Sequence, residues 1–411
     1  MPLEAVAPAY VDESADAGEY LYTLNFGPQH PATHTTLRLI LTLDGETIVK
    51  CVPDIGFLHS GFEKLGEDLD FNQYVTVVDR MNYISPVANE IAWHHAVEKL
   101  LGIDLTPRCK YLRTILAELG RINDHLLCVG AAALDLGGLT AFLYAFNQRE
   151  KVYDIIESAS GQRFHPSYTR VGGLLNDITD DVIDKIRAFC AGFPKVLADV
   201  ERLLNRNKIF VDRTKGVGVL TKAEAINRGA TGPVARASGV VRDLRKDEPY
   251  LAYGELSGSF NVVASIGGDC LARYLVRMGE MRESAKIIAA AVENLPAGPV
   301  NVDVGDRKVG IPDKASTYRS IEGLIQHFEL FMWNRRFPTP TNEVYGANET
   351  ANGELGFYVV TDGGGKAFRA RTRPPSFVHF ALFPHLIEGH TISDVAAVLG
   401  SLNIIAAELD R

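Results

Sequence analysis

Alternating apolar and polar positions mark both ends of the chain. Residues 20–26 and 36–43 alternate or branch in the manner of β-strands, and Asp44-Gly45 joins the second run to a third as a hairpin turn. This pattern predicts mostly β-strand for roughly the first 75 residues. Strand-like patterns return at residues 355–361 and 367–373, with a glycine-rich turn between them. These patterns predict β-structure in both terminal parts.

Apolar residues recur at helical spacing through the middle of the chain, where the period changes near Ser85. Thr106-Pro107 opens the longest of these stretches, because proline is favoured in the first turn of a helix. The predicted helices cover 87–101, 107 to beyond 126, 139–160, 179–203, 271–295 and 318–333. Residues 391–394 resemble a capping box for a last short helix.

The order of these elements predicts an α+β fold, with a central bundle of long helices and β-elements in the N- and C-terminal parts. We divide the chain into a flexible N-terminal arm at 1–20 and a β-rich region at 21–84. A helical bundle follows at 85–345, with an irregular, glycine-rich excursion at 216–260. A β-hairpin region with a short terminal helix completes the chain at 346–411.

The composition of the chain limits the functional classes to which it can belong. The chain has 411 residues, of which 46% are hydrophobic, and this is ample for a core. A formal net charge of −9 argues against a nucleic-acid partner. No apolar run reaches the ~18 residues of a membrane span, and the acidic start lacks the features of a signal peptide. We expect a soluble intracellular protein that is able to sit on a membrane complex.

The five cysteines do not form any Cys-x-x-Cys pair, and their odd number fits a reducing compartment. Each is interpreted as a small apolar core residue. They are Cys51, Cys109, Cys128, Cys190 and Cys270.

Common catalytic signatures are missing from the chain. The sequence contains no His-Glu-x-x-His, no phosphate loop, no Gly-x-Ser-x-Gly and no dinucleotide fingerprint. Pro28 and Pro31 keep His30 and His34 out of a helix, so their spacing does not create a helical metal pair. We therefore expect no metal site in this chain.

Polar residues at the ends of elements remain as candidates. Tyr83 lies where strand gives way to helix, Asp135 lies in the break between two long helices, and His165 follows the end of another. Each also has a structural interpretation when taken alone, as a buried aromatic residue, a helix cap and a core histidine respectively. The residues by themselves leave both interpretations open.

Taken in order, a series of motifs resembles the quinone-site subunit of NADH–quinone oxidoreductase (respiratory complex I), which in bacteria is the D subunit. The resemblance runs from about Tyr20 to Arg411. Its motifs are Gly27-Pro-Gln-His-Pro-Ala-Thr-His34, Phe57-Leu-His-Ser-Gly-Phe-Glu-Lys64, Asp79-Arg-Met-Asn-Tyr83, Asp135-Leu-Gly-Gly-Leu-Thr140, Tyr144-Ala-Phe146, Gly161-Gln-Arg-Phe-His165, Arg236-Ala-Ser-Gly239, Met281-Arg-Glu-Ser284 and Gly353-Glu-Leu-Gly356.

That family is similar in fold to the large subunit of nickel–iron hydrogenases, which hold their metal with two Cys-x-x-Cys pairs. Here the early pair would fall near Asn82 and Ser85, and the late pair near Ile405 and Glu408. All four positions lack the thiolate that a soft metal centre requires. A hydrogenase activity therefore does not fit, and the resemblance implies a cavity reused for quinone.

The resemblance implies roles for five residues. His34 and Tyr83 are expected to hydrogen-bond the quinone headgroup, and Asp135 is expected to pair with His34, so that these three are the catalytic candidates. Arg80 and His165 are expected beside an iron–sulfur cluster that the neighbouring B subunit supplies. The chain itself is expected to bind no cofactor, with quinone as the substrate.

The resemblance also implies partners and a place in the cell. We expect contacts with the B, C and I subunits and with the H subunit in the membrane, at the cytoplasmic side of the cell membrane, and a role in coupling quinone reduction to proton pumping. Two alternatives stay open at this point. One is the same quinone-site role in a related complex with another electron donor, and the other is a non-catalytic scaffold between peripheral and membrane arms.

Overall fold

The computed structural model of the chain describes residues 21–33, 36–303, 310, 312–331 and 338–411. Helices and small antiparallel sheets are combined as the sequence pattern predicts, so the α+β fold class is confirmed. The arm expected at 1–20 lies outside the described residues. The division into four regions stays a prediction.

Three small sheets occur among the described residues. The first sheet contains β1 (Leu21–Phe26), β2 (Arg38–Asp44) and β3 (Thr47–Asp54), and the second contains β4 (Thr169–Arg170) and β5 (Gly173–Leu174). The third contains β6 (Thr341–Glu349), β7 (Glu354–Asp362) and β8 (Arg369–Arg373), all antiparallel to their neighbours.

The helices of the described residues are numbered in chain order. They are α1 (Phe62–Asp68), α2 (Val75–Val78), α3 (Pro86–Leu101), α4 (Pro107–Asp135), α5 (Leu139–Ser160), α6 (Asp180–Asn205), α7 (Lys208–Thr214), α8 (Lys222–Asn227), α9 (Gly232–Ala237), α10 (Leu244–Asp247), α11 (Cys270–Glu293), α12 (Lys314–Arg319), α13 (Ile321–Phe331), α14 (Pro375–Phe380), α15 (Phe383–Ile387), α16 (Asp394–Leu402) and α17 (Ala406–Asp410).

The first sheet follows from strict alternation in β2. Leu39, Leu41 and Leu43 are fully buried on one face, whereas the residues between them stay partly exposed. Gly45, with a φ of 58°, makes the tight connection from β2 to β3, because glycine adopts left-handed backbone angles without steric cost. The predicted hairpin at Asp44-Gly45 is confirmed.

The strand-rich interpretation of the first 75 residues is wrong beyond Asp54. Residues 62–68 form α1, which begins after Gly61 at a φ of 67° and buries Phe62 and Gly66 on one face. The spacing of four between these two buried positions is helical.

α4 is the central helix of the molecule. The side chain of its N-cap residue Thr106 accepts a hydrogen bond from the backbone N–H of Cys109 at 3.3 Å, and Pro107 occupies the first turn. The helix packs against α3, α5, α11 and α16. Its apolar residues join those of α5, α6 and α11 in the largest hydrophobic core of the described chain.

Two predicted segments differ from the structure in detail. The excursion at 216–260 contains the short helices α8, α9 and α10 between irregular turns. The single helix expected at 318–333 is split into α12 and α13, because Ser320 is extended with φ −125° and ψ 146°.

The last residues of the chain close over the first sheet region. The carboxylate of Asp410 accepts hydrogen bonds from the backbone N–H groups of Gly56 at 3.0 Å and Leu58 at 2.7 Å. Nδ1 of His59 lies 2.8 Å from the backbone oxygen of Asp410. These contacts join α17 to the loop that follows β3.

Four of the five cysteines are buried and Cys190 is half-buried, as their interpretation as core residues requires. Within the described ranges, helices long and apolar enough to cross a bilayer are absent. The same residues contain no group of three or more His, Cys, Asp or Glu side chains with the arrangement of a metal site.

Candidate functional site

A cavity of about 230 Å3 lies where four parts of the fold meet. The loop after β1 and the turn before α3 form two of its walls, and α4 and the α16–α17 junction form the others. Residues from each part line it, among them Thr33, Leu37, Tyr83, Cys128, Gly400 and Ile405. The cavity therefore depends on residues from both ends of the chain and from its middle.

Tyr83 presents its phenol to this cavity. Burial raises the pKa of Tyr83 above its usual value, and the nearby carboxylate of Asp124 raises it further. The phenol is therefore neutral at physiological pH and is able to donate a hydrogen bond. The predicted candidate Tyr83 is thus placed at a cavity as a neutral proton donor.

Side-chain amides hold the backbone on both sides of Tyr83. Nδ2 of Asn89 on α3 donates to the backbone oxygen of Asn82 at 3.0 Å. Nδ2 of Asn123 on α4 donates to the backbone oxygen of Ile84 at 2.9 Å. Because these groups are buried and bonded, the turn that carries the phenol is fixed in position.

Asp124 lies buried behind the cavity and joins two of its walls. Its Oδ2 accepts from Nδ2 of Asn82 at 2.8 Å, and its Oδ1 accepts from Nδ2 of Asn403 at 2.6 Å. This carboxylate was not among the residues predicted from the sequence. Its signal was a pair of polar residues, Asn123-Asp124, within the apolar pattern formed by Ile122 and Leu126.

Asp135 is the last residue of α4, where the chain turns through Gly137, at a φ of 86°, into α5. Its Oδ2 lies 4.0 Å from the position that a Cβ atom would take at Gly400, and Gly400 lines the cavity. The predicted candidates Tyr83 and Asp135 are therefore both close to this cavity, although they come from different elements.

His34 lies outside the described residues, so its expected pairing with Asp135 stays a prediction. The neighbouring His30 is described on the same loop. Its Nδ1 accepts a hydrogen bond from the backbone N–H of Ala32 at 3.1 Å, and its ring packs against Phe26 at a tilt of 36°, with centroids 4.2 Å apart. Both contacts are local, which indicates that His30 shapes the loop.

Arg80 and His165 lie close enough to interact, and neither lines the cavity. His165 is half-buried, with a φ of 56°. Burial lowers the pKa of His165, the guanidinium of Arg80 lowers it further, and the carboxyl group of Asp79 opposes both effects. The two residues form a site of their own, with an exposed cation beside a titratable imidazole.

The four positions that carry cysteine in hydrogenases hold Asn82, Ser85, Ile405 and Glu408 here. Ile405 lines the cavity, and the other three are buried. Burial raises the pKa of Glu408 to about 8, with a further contribution from Asp124. The hydroxyl of Ser376 donates to Oε2 of Glu408. Apolar, amide and carboxyl groups thus replace sulfur at these positions.

Comparisons with known proteins identify the family of this chain. Residues 135–411 match the family described as "Respiratory-chain NADH dehydrogenase, 49 Kd subunit". The NADH-quinone oxidoreductase D subunit of Sinorhizobium medicae that is numbered 2 is 46% identical over 399 residues, which cover 96% of this chain and 97% of the relative. The NADH-quinone oxidoreductase D subunit of Methylacidiphilum infernorum is 44% identical, with 97% and 93% covered.

A third relative extends the match to nearly the whole chain. The NADH-quinone oxidoreductase D subunit of Akkermansia muciniphila is 44% identical over 407 residues, which cover 99% of this chain and 97% of the relative. The chain therefore belongs to the 49 Kd subunit family of respiratory-chain NADH dehydrogenases.

Proposed function

We propose that the cavity beside Tyr83 receives the quinone headgroup and that this chain forms one wall of the quinone-reduction chamber. The observation that carries the proposal is the neutral phenol of Tyr83 at a cavity of about 230 Å3. Small-molecule sites usually measure roughly 300–1,000 Å3. A cavity volume slightly below this range is expected if a second protein chain completes the chamber.

Quinone reduction requires two electrons and two protons, and the protons must come from groups within hydrogen-bond reach of the two carbonyl oxygens. Tyr83 is suited to donate to one carbonyl as a neutral phenol. His34 is suited to donate to the same headgroup, because imidazole changes protonation near neutral pH. Asp135 at the end of α4 would hold the His34 ring in one tautomer and favour its protonated form.

Electrons must come from a partner, because this chain has no set of cysteine ligands for an iron–sulfur cluster. Arg80 and His165 form the face that we assign to the cluster of the B subunit. A cation near a cluster raises its reduction potential, and an imidazole makes that potential depend on pH. We assign further contacts to the C, I and H subunits, at the cytoplasmic side of the membrane.

The break between α4 and α5 supports a role of Asp135 in proton pumping. Transfer of a proton from His34 to the reduced quinone would leave Asp135 less well paired. Asp135 lies two residues before Gly137, whose left-handed backbone permits a sharp turn there. The change of charge at Asp135 would therefore act where the chain bends. An Asp135→Asn complex that reduces quinone and still pumps at the wild-type ratio would contradict this coupling role.

The experiment that tests the quinone site uses membranes with the assembled complex carrying Tyr83→Phe. We expect NADH-to-quinone activity to fall by roughly a hundredfold, since a positioned acid contributes that order of magnitude. NADH-to-ferricyanide activity in the same sample should be unchanged. Tyr22→Phe is the matched control, because its exposed hydroxyl bonds only the hairpin oxygen of Gly45.

The control variant should retain both activities. Persistence of quinone reduction in Tyr83→Phe, with ferricyanide activity also intact, would place the headgroup elsewhere. Such a result would favour a scaffold role for this chain.

A further inference from the structure

Two buried carboxyl groups meet behind the site formed by Arg80 and His165. Asp79 belongs to the turn before α3 and Glu90 belongs to the first turns of α3, and both side chains are fully buried. The two carboxyl groups lie close enough to interact with each other. The other contacts of each group indicate that the pair contains a proton.

One oxygen of each group is occupied by donors from a single loop. Oδ2 of Asp79 accepts from the backbone N–H and from the hydroxyl of Ser167, both at 2.9 Å. Oε2 of Glu90 accepts from the backbone N–H groups of Tyr168 at 2.9 Å and Thr169 at 2.6 Å. Three successive backbone N–H groups therefore point at the pair.

The second oxygen of each carboxyl group, Oδ1 of Asp79 or Oε1 of Glu90, is left for the other carboxyl group. No N–H or hydroxyl group among the described residues donates to Oδ1 of Asp79 or to Oε1 of Glu90. Two ionised carboxylates would repel each other at such a contact, because neither has a hydrogen to donate. One shared proton removes the repulsion and supplies the missing donor, which leaves the pair with a single negative charge.

The loop that binds the pair also carries His165. His165 and Ser167 adopt positive φ angles of 56° and 44°, and the N–H groups of Ser167 and of the two residues after it donate to the carboxyl pair. The imidazole of His165 in turn lies against Asp79, which attracts its protonated form. The pair is thus placed to act on the position of His165 and on its charge.

The other charged and titratable groups that face the pair come from three elements. Arg170 on β4 lies close enough to both carboxyl groups to interact with them, and Arg113 on α4 interacts with Glu90. Tyr168 also interacts with Glu90. The arginines are permanently charged and tyrosine is neutral near pH 7. His165 is therefore the facing group with an imidazole, and burial and Arg80 lower its pKa.

We propose that Asp79 and Glu90 share one proton and act as positioning residues, which place a single negative charge behind His165 and thereby set how readily that imidazole is protonated. The effect of this negative charge on electron transfer rests on the proposed function, in which His165 faces the cluster of the B subunit. The pair is assigned no step in the transfer of electrons or protons to quinone.

Two isosteric variants test the proposal because they move the charge in opposite directions. In Asp79→Asn, the new amide donates to Glu90, and the negative charge moves away from His165. In Glu90→Gln, the new amide donates to Asp79, which then carries the whole charge beside His165. Both variants preserve a hydrogen bond within the pair and the net charge of the pair. If the pair had only a structural role, the two variants would not shift the protonation of His165 in opposite directions.

The first measurement is the midpoint potential of the cluster in the B subunit as a function of pH, in the assembled complex. A plot of this midpoint potential against pH changes slope where His165 gains or loses its proton. The pH of that change should be lower in Asp79→Asn and higher in Glu90→Gln than in the wild type. Glu408→Gln is the matched control, because it removes another buried protonated carboxyl group and should leave the slope change in place. A shift in the same direction in both variants, or no shift in either, would overturn the proposal.

The second measurement is the infrared band of protonated carboxyl groups in the same preparations, with deuterium exchange. Part of this band should disappear in each of the two variants, since neither retains a shared proton. An unchanged band in both would show that the pair holds no proton.

The two readouts separate this proposal from the proposed function. If His165→Met leaves the potential equally dependent on pH, the assignment of His165 to the cluster fails. The infrared result then still decides whether the proton is shared.

Discussion

Asn403 and Asp124 are 279 positions apart in the sequence, yet Nδ2 of Asn403 donates to Oδ1 of Asp124 at 2.6 Å. The same amide group donates to Oδ1 of Asn352 at 2.6 Å. Asn403 lines the cavity and has a left-handed backbone, with a φ of 56°, where α16 ends. One side chain therefore connects the C-terminal segment, the central helix α4 and the turn between β6 and β7.

Asn403→Ala should lower the stability of the chain and its quinone activity together. The substitution removes the donor to Oδ1 of Asp124 and the donor to Oδ1 of Asn352, and an unsatisfied buried polar group costs about 2 kcal/mol. Chemical denaturation of the full chain measures this loss. Asn294→Ala is the matched control, because its exposed amide donates only to Ala290 on the preceding helix. Equal stability of the two variants would contradict the connecting role of Asn403.

Glu408 should make the stability of the chain fall as the pH rises. Its pKa is about 8 in the folded chain, against 4.5 for an ordinary glutamate, so the folded chain binds this proton more tightly than the unfolded chain. The stabilisation is complete below pH 4.5 and is lost as the pH rises to about 8, at about 1.4 kcal/mol per pH unit.

Glu408→Gln removes this titration while it preserves the shape of the side chain. The difference in the free energy of unfolding between wild type and variant should therefore shift in favour of the variant between pH 5 and pH 8. Thermal or urea unfolding at several pH values measures this difference. A constant difference over that interval would show that Glu408 does not hold its proton in the folded chain.

Arg236→Met should destabilise the chain strongly. Nε of Arg236 donates to Oε1 of Glu280 at 2.8 Å, and Nη1 donates to Oε1 of Glu349 at 2.7 Å, all fully buried. Removal of the guanidinium takes a buried cation from two buried carboxylates, and breaking a buried ion pair costs about 3–5 kcal/mol.

Arg242→Met is the matched control for this change. The side chain of Arg242 is 55% exposed and lies 3.7 Å from Glu248, and an exposed pair of this kind contributes about 0–1 kcal/mol. Urea unfolding of both variants tests the contrast. A loss in Arg236→Met no larger than that in Arg242→Met would mean that the buried network does not stabilise the chain.

Ala131→Phe should fill the cavity beside Tyr83. Ala131 lines the cavity from α4, and a phenyl ring there takes up space that the headgroup needs. We expect the KM for a short-chain quinone to rise at least about tenfold, which corresponds to about 1.4 kcal/mol of lost binding. Ala188→Phe, on the exposed groove between α5 and α6, is the control of equal size. Unchanged kinetics in Ala131→Phe would exclude this cavity as the quinone site.

Local patterns predicted the elements that depend on neighbouring residues. Thr106-Pro107 marks the start of α4, Asp44-Gly45 marks the hairpin, and alternation identifies the buried leucines of β2. Each of these features is determined within a few residues of sequence. The boundaries of the long helices were accordingly within a few residues of those in the structure.

Features that depend on distant contacts were not predicted from the residues alone. Glu90 looked like an ordinary polar position on α3, because its partners on the loop at 167–169 are more than seventy residues away. Asp124 looked like an interruption of an apolar pattern until Asn403 was seen to contact it. The roles of Tyr83 and Asp135 came from a resemblance between ordered motifs, since no spacing rule relates the two residues.

The closure by Asp410 has a consequence for synthesis. Its carboxylate binds Gly56 and Leu58, and Gly400, Asn403 and Ile405 complete the cavity wall. The β-hairpin is synthesised early and its contacts form only when residues some 350 positions later have been synthesised. A nascent chain interrupted before Gly400 therefore lacks one wall of this cavity.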